Sequence, residues 1–204
     1  MANLTMKILQ DQINELRNDV AILKAEKSVS KIPSGLKIGD TFKIAGLDWK
    51  IIDITDKGYS CLCEILEEDM KFDDSSNDWK SSGLREYLNG DFLKKISDEV
   101  GEENIVKFER DLLSLDGQTE YEKCEDSVSL LTVDEYRKYR SLIPNEEKWW
   151  WLITPWSTPC NDYEYPVTVV ASSGGIYNGR CDNYDGVRPF CIFSSSIFES
   201  GNDD

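Results

Sequence analysis

"LKIGDTFKIAGLDWKIIDITDKGYSCLCEIL" (Leu36–Leu66) decides the fold class of this chain. Its β-branched and aromatic runs are separated by turn signals at Gly39-Asp40, Ala45-Gly46 and Asp56-Lys57-Gly58. The pattern predicts a meander of three short strands, Thr41–Ile44, Trp49–Thr55 and Tyr59–Leu66. Upstream the period is different. Met6, Leu9, Ile13, Leu16, Val20 and Leu23 recur at alternating spacings of three and four, which is a heptad seam. Ile13 and Val20 at a, with Leu9, Leu16 and Leu23 at d, favour a parallel two-stranded coiled coil, hence a homodimer. The alternative is a helix folded back on its own domain, which needs a wider apolar face than this stripe. "VSKIPSG" (Val29–Gly35) ends the helix and serves as a linker.

Downstream, "NDWKSSGLREYLNGDFLKKI" (Asn77–Ile96) predicts a helix from about Ser82, closed near Asn89-Gly90, then a second helical stretch over Asp91–Ile96. A short strand is expected at Ser127–Leu131. Thr132 and Glu135 then form a capping box that opens another helix. Strand patterns return at Trp149–Ile153, Pro166–Ala171, Gly175–Tyr177 and Val187–Phe193, with a tight turn at Ser172–Gly175. In "KWWWLITPWSTPC" (Lys148–Cys160), alternation sets Trp149, Trp151 and Ile153 on one side and Trp150 and Leu152 on the other. Five apolar residues in a row predict a strand buried on both faces. Only Trp156, after the Thr154-Pro155 break, is left for a binding surface.

Strands flanking a helical middle make the class α+β, with two or three helices. The expected division is a coiled-coil dimerisation helix over 1–28, a linker over 29–35, an α+β domain over 36–196 and a flexible tail over 197–204. A chain of 204 residues suits one domain with an appendage.

The chain contains no histidine. That excludes Ser-His-Asp and Cys-His catalysis and histidine-ligated zinc, copper or haem. The six cysteines, Cys61, Cys63, Cys124, Cys160, Cys181 and Cys191, lack zinc or redox spacing and are expected as free thiols. No cofactor and no metal are predicted. Apolar runs are too short to span a membrane, and the first twenty residues lack the apolar core and cleavage site of a signal peptide. Both point to the host-cell cytoplasm or a virion.

Net charge is -16, yet residues 1–32 carry five bases against four acids. Between Ser97 and Asp126 there are eleven acids against three bases. Such a surface repels nucleic acid and favours a basic protein partner, although a charged face can serve solubility alone.

Five stretches stand in a distinctive order: Phe42–Asp53 (FKIAGLDWKIID), Trp79–Asn89 (WKSSGLREYLN), Asp126–Tyr136 (DSVSLLTVDEY), Trp150–Pro155 (WWLITP) and Gly186–Phe190 (GVRPF). Together they resemble an uncharacterised bacterial and phage domain family with W-x-x-S-x-L-R-x-[WY]-L-N, W-W-L-R-S-P and G-V-R-P motifs. The chain departs from that pattern at Ile153-Thr154. Its closing section also resembles C-type-lectin-like domains, including formylglycine-generating-enzyme relatives. The resemblance implies a lectin-like α+β fold and structural roles for Trp79, Arg85, Trp150, Trp151 and Arg188. Arg188 should pair with a carboxylate, Asp126 or Asp53, or with backbone carbonyls.

Calcium-dependent sugar lectins carry E-P-N or Q-P-D with W-N-D, and none of these triplets is present. Formylglycine-type chemistry implies a reactive cysteine pair holding copper. Cys181 and Cys191 occupy the corresponding region, with Asp182 and Asp185 opposing the help of Arg180. In contrast, "STPCNDYEYP" and "YNGRCDNYDG" concentrate the residue types of adaptable paratopes. They predict a non-enzymatic protein-recognition surface of Trp156, Tyr163, Tyr165, Tyr177, Asn178, Arg180, Asn183 and Tyr184. The rival expectation is an acidic, anti-CRISPR-like inhibitor of a nucleic-acid-binding host defence protein. It would act through Asp98, Glu99, Glu102, Glu103, Glu109 and Asp111. A formylglycine-type redox enzyme is the weakest reading.

Overall fold

The computed structural model describes residues 12, 13, 16 and 32–199. Of the heptad seam, Met6, Leu9, Val20 and Leu23 lie outside the described residues. Ile13 and Leu16 are helical and exposed.

The meander is present as β1 (Thr41–Ile44), β2 (Leu47–Thr55) and β3 (Gly58–Cys63). Then follow helix α1 (Gly83–Tyr87), a π-turn (Leu88–Phe92) and helix α2 (Leu93–Val100). Short strands come next: β4 (Ile105–Val106), β5 (Phe108–Asp111), β6 (Lys123–Asp126) and β7 (Val128–Ser129). Helix α3 (Val133–Lys138) precedes β8 (Trp150–Pro155), β9 (Pro166–Val170), β10 (Ile176–Arg180) and β11 (Phe190–Phe193). Helix α4 (Ser196–Glu199) closes the described chain.

The class is α+β, with antiparallel pairing in every strand ladder. The main sheet runs β1-β2-β3-β11-β4, with β7 also on β11. A second sheet runs β10-β9-β8, and β5 pairs with β6 as a separate hairpin. The tight turn between β1 and β2 has φ 54° at Ala45 and 78° at Gly46, the positive pair of a type I′ hairpin.

The central strands are buried on both faces, and alternation deals their side chains to two cores. Ile51, Cys61, Cys63, Cys191, Phe193, Trp151, Ile153 and Val169 enter one. Ile52, Leu62, Phe190, Ile192, Trp150, Leu152 and Val170 enter the other. The α1–α2 segment covers the first core, and α3, through Val133 and Tyr136, the second.

Asn89-Gly90 does not end the helix, contrary to the sequence reading. Leu84, Leu88, Phe92, Ile96 and Val100 all face the first core, at a constant spacing of four. In an α-helix a four-residue step overshoots the turn by about 40°, so such a stripe would wind off the core. The wider π-turn at Leu88–Phe92 rotates it back. The helix stops at Gly101, whose positive φ of 86° suits glycine and whose N–H donates to Ser97 O.

Trp149 was grouped with the core and is not in it. It precedes β8, is 42% exposed and stacks on Tyr177 with ring centres 5.5 Å apart. At the edges of the expected division, Ile32 of the linker is buried, as are Ile197 and Phe198 of the tail.

Candidate functional site

The first concave feature is a cleft of about 710 Å³ beside α1, lined by Lys80, Ser82, Arg85, Asn89, Lys107 and Asp126 among others. It includes Ser82 and Arg85 of the W-x-x-S-x-L-R motif, and several of its polar groups hold the fold together. Ser82 caps α1 by accepting the Arg85 N–H. The Trp79 indole and the Arg85 Nε each donate to Asp126, both at 2.7 Å, and the Asp126 side chain is fully buried. Arg85 also donates to the carbonyls of Lys80 and Glu125. The Asn89 amide donates to Val128 O, and its oxygen accepts from the Ser127 and Val128 N–H groups. This cleft is a brace between α1 and the β6–β7 segment.

The second feature is an exposed aromatic surface. The chain has six tryptophans, nine tyrosines and seven phenylalanines, all within the described residues. Only Trp149, Tyr163, Tyr177 and Tyr184 are exposed. They surround β10. Tyr177 and Asn178 lie on it, Trp149 stacks on Tyr177, and Arg180 at its end covers the Tyr165 ring at 4.6 Å. Arg180 is also held by Asp182 at 3.0 Å. Asn183 turns the chain back by donating to Arg180 O, and Tyr184 lies 5.6 Å from the Lys71 ammonium. Trp156 is half-buried.

Side-chain hydrogen bonds tie the scaffold beneath this surface. Tyr136 donates its hydroxyl to Gly174 O and pins the β9–β10 turn. Asn77 is fully buried and reaches the carbonyls of Ser157, Tyr163 and Pro166, fixing the loop that carries Tyr163.

Sequence reasoning missed two members of this surface. Trp149 was assigned to the strand interior. Asp185 was noted only beside Cys181. Gly179 lets Asp185 approach β10: a β-carbon there would lie 3.3 Å from Asp185 Oδ2 and 3.4 Å from the Trp151 ring. Burial, and then the Asp69 charge, push the Asp185 carboxyl up. Among the described residues this carboxylate has no hydrogen bond or ion pair, whereas Asp69 is paired with Lys148 at 2.9 Å.

The acidic residues of the rival reading are spread over α2, a turn and β5. Asp98 pairs with Lys94, Glu99 accepts the Ala45 N–H, Glu109 pairs with Lys123 and Asp111 accepts the Leu113 N–H. Glu102 and Glu103 are exposed.

Arg188 pairs with neither Asp126 nor Asp53. Its guanidinium meets Glu146 at 3.1 Å and Cys63 O at 3.2 Å, and covers the Trp150 ring. Asp126 is taken by Arg85, and Asp53 by Lys138 and Tyr139.

All six cysteines are free. Burial pushes the Cys181 thiol up to about 11 and raises Cys191 as well. A nucleophilic thiol needs the opposite shift. Among the described residues no cluster of three or more acids and cysteines could hold a metal ion, and no helix is long and apolar enough to cross a membrane.

No curated protein and no solved structure shows significant similarity to the chain. A family described as a domain of unknown function (DUF6273) matches residues 134–195, which run from α3 through β11 and include β10 and all four exposed aromatic residues.

Proposed function

We propose that the chain is a non-enzymatic protein-recognition module of bacterial or phage origin. Its α+β domain is C-type-lectin-like and is displayed as a dimer on an N-terminal coiled coil. The domain engages its partner through the aromatic surface around β10. One observation carries this reading: every exposed aromatic ring lies between Trp149 and Tyr184 in the sequence, with Tyr177 on β10 and Trp149 stacked on it. Exposed tyrosine and tryptophan give contact area at low entropic cost, the usual composition of binding hot spots.

The test is a pull-down from bacterial lysate with full-length protein at two salt concentrations. A partner retained at high salt and lost with Tyr177→Ala or Tyr184→Ala is the expected result. A partner that survives both changes, and is lost on charge reversal of Glu102, Glu103 and Glu109, would instead favour the acidic inhibitor. That alternative has less support, because four of its six acids already have local partners.

A further inference from the structure

Among the described residues the backbone of β10 is paired on one side only. Ala171 N–H donates to Gly175 O and Cys181 N–H to Tyr165 O, so the hydrogen-bonded pairs with β9 fall on odd-numbered residues of β10. Ile176, Asn178 and Arg180 therefore direct their N–H and C=O groups away from the sheet. Arg180 O accepts from Asn183 N–H. The outward groups of Ile176 and Asn178 have no partner among the described residues, and β10 pairs with no strand but β9. The segment Ile176–Arg180 carries no proline and no bulge, and its one charged side chain, Arg180, is held by Asp182.

We infer that β10 accepts an added strand from an extended, basic segment of the partner, and that a lysine or arginine of that strand pairs with Asp185. The inference rests on the recognition function proposed above and specifies its mode. Outward N–H and C=O groups supply main-chain bonding, and alternate side chains supply selectivity. A residue set opposite Gly179 projects on the face where Asp185 stands over β10, beside the Trp149–Tyr177 stack. A cation there meets a half-buried carboxylate with no partner among the described residues, next to aromatic faces that attract positive charge. The raised pKa of Asp185 agrees with a site short of positive charge. A second copy of this chain fits less well, since it brings another net -16 against Asp69, Asp182 and Asp185.

The probe is the capped peptide acetyl-Val-Lys-Val-Lys-Val-Lys-amide, added to the full-length protein. Two controls accompany it, one methylated at alternate backbone nitrogens and one with glutamate for lysine. Binding should slow amide exchange at Ile176, Asn178 and Arg180. It should weaken about tenfold on backbone methylation, which removes main-chain donors. Asp185→Asn should weaken it about fivefold or more, and the glutamate peptide should not bind. Asn178→Pro removes an outward N–H that the β9 ladder does not use, so the variant should fold and fail to bind.

Equal binding of the methylated peptide, or of Asn178→Pro, would overturn strand addition. An unaffected Asp185→Asn would overturn the cation assignment, and no binding by the lysine peptide would overturn the whole inference. None of these results touches the Tyr177→Ala and Tyr184→Ala comparison, on which the proposed function stands separately.

Discussion

Arg110 and Glu135 form a two-pronged ion pair across the second core, Nη1 to Oε1 at 2.7 Å and Nη2 to Oε2 at 2.6 Å, with the arginine side chain 3% exposed. Arg110 Nη2 also donates to Leu130 O, and Glu135 closes the α3 capping box. Removing Glu135 strands a buried guanidinium. Glu135→Ala should cost about 3–5 kcal/mol in urea unfolding, and the double change Arg110→Met with Glu135→Leu should recover most of it. Burial alone would push the Glu135 carboxyl up, but its bonds to Arg110 outweigh that and leave it below its ordinary value. Its contribution is therefore present above the ordinary glutamate range and lost as pH falls through the depressed value. The acid limb of stability should flatten in the double variant.

Asn77 gives a second prediction. Asn77→Ala takes their donor from the carbonyls of Ser157 and Tyr163 and their acceptor from the Tyr121 hydroxyl, which donates to Asn77 Oδ1 at 2.6 Å, while Pro166 O keeps the Trp156 N–H. The cost should be about 3 kcal/mol, and amide exchange should quicken over residues 157–166. Tyr121→Phe keeps the amide and should cost only about 1 kcal/mol, with the loop unchanged.

Asp185 should behave in the opposite sense to Glu135. Burial and Asp69 raise its pKa, so the folded chain holds this proton more tightly than the unfolded chain. Stability is then lost as pH rises from the ordinary aspartate range through the raised value. Asp185→Asn should melt above the parent protein at neutral pH and equal to it in acid. A variant less stable at neutral pH would show that the carboxylate serves the fold.

The coiled-coil proposal is tested in the full-length chain by Ile13→Asp with Leu16→Asp. Both side chains are exposed on a helix, so the change should leave the domain intact. Light scattering should then report half the parent mass, and an unchanged mass would count against the dimer.

The meander was legible because its turns and alternation agree: β1 matches residue for residue, and the Thr132–Glu135 capping box is formed. The β5–β6 hairpin was not legible. Glu109, Asp111, Lys123 and Glu125 fill its outward positions, and its inward positions include Arg110, so no apolar period survives. Asn89-Gly90 carries the residue types of a helix stop, but the Asn89 amide is spent on Ser127 and Val128, almost forty residues on. The same limit applies at the site. Tyrosine-rich loops mark the surface in sequence, whereas the isolation of Asp185 depends on Gly179, Met70 and Trp151 meeting in space.

The open edge of β10 also bears on handling the protein in bulk. An unguarded strand with aromatic neighbours is a template for edge-to-edge self-association. Like charge holds copies apart here, with a net -16 spread over a 23.4 kDa chain. That repulsion reaches about 30 Å at 0.01 M ionic strength but only about 3 Å at 1 M. Concentrated stocks should stay clear at low ionic strength and turn turbid as salt is added, so the acidic composition acts as a colloidal guard for the strand left open.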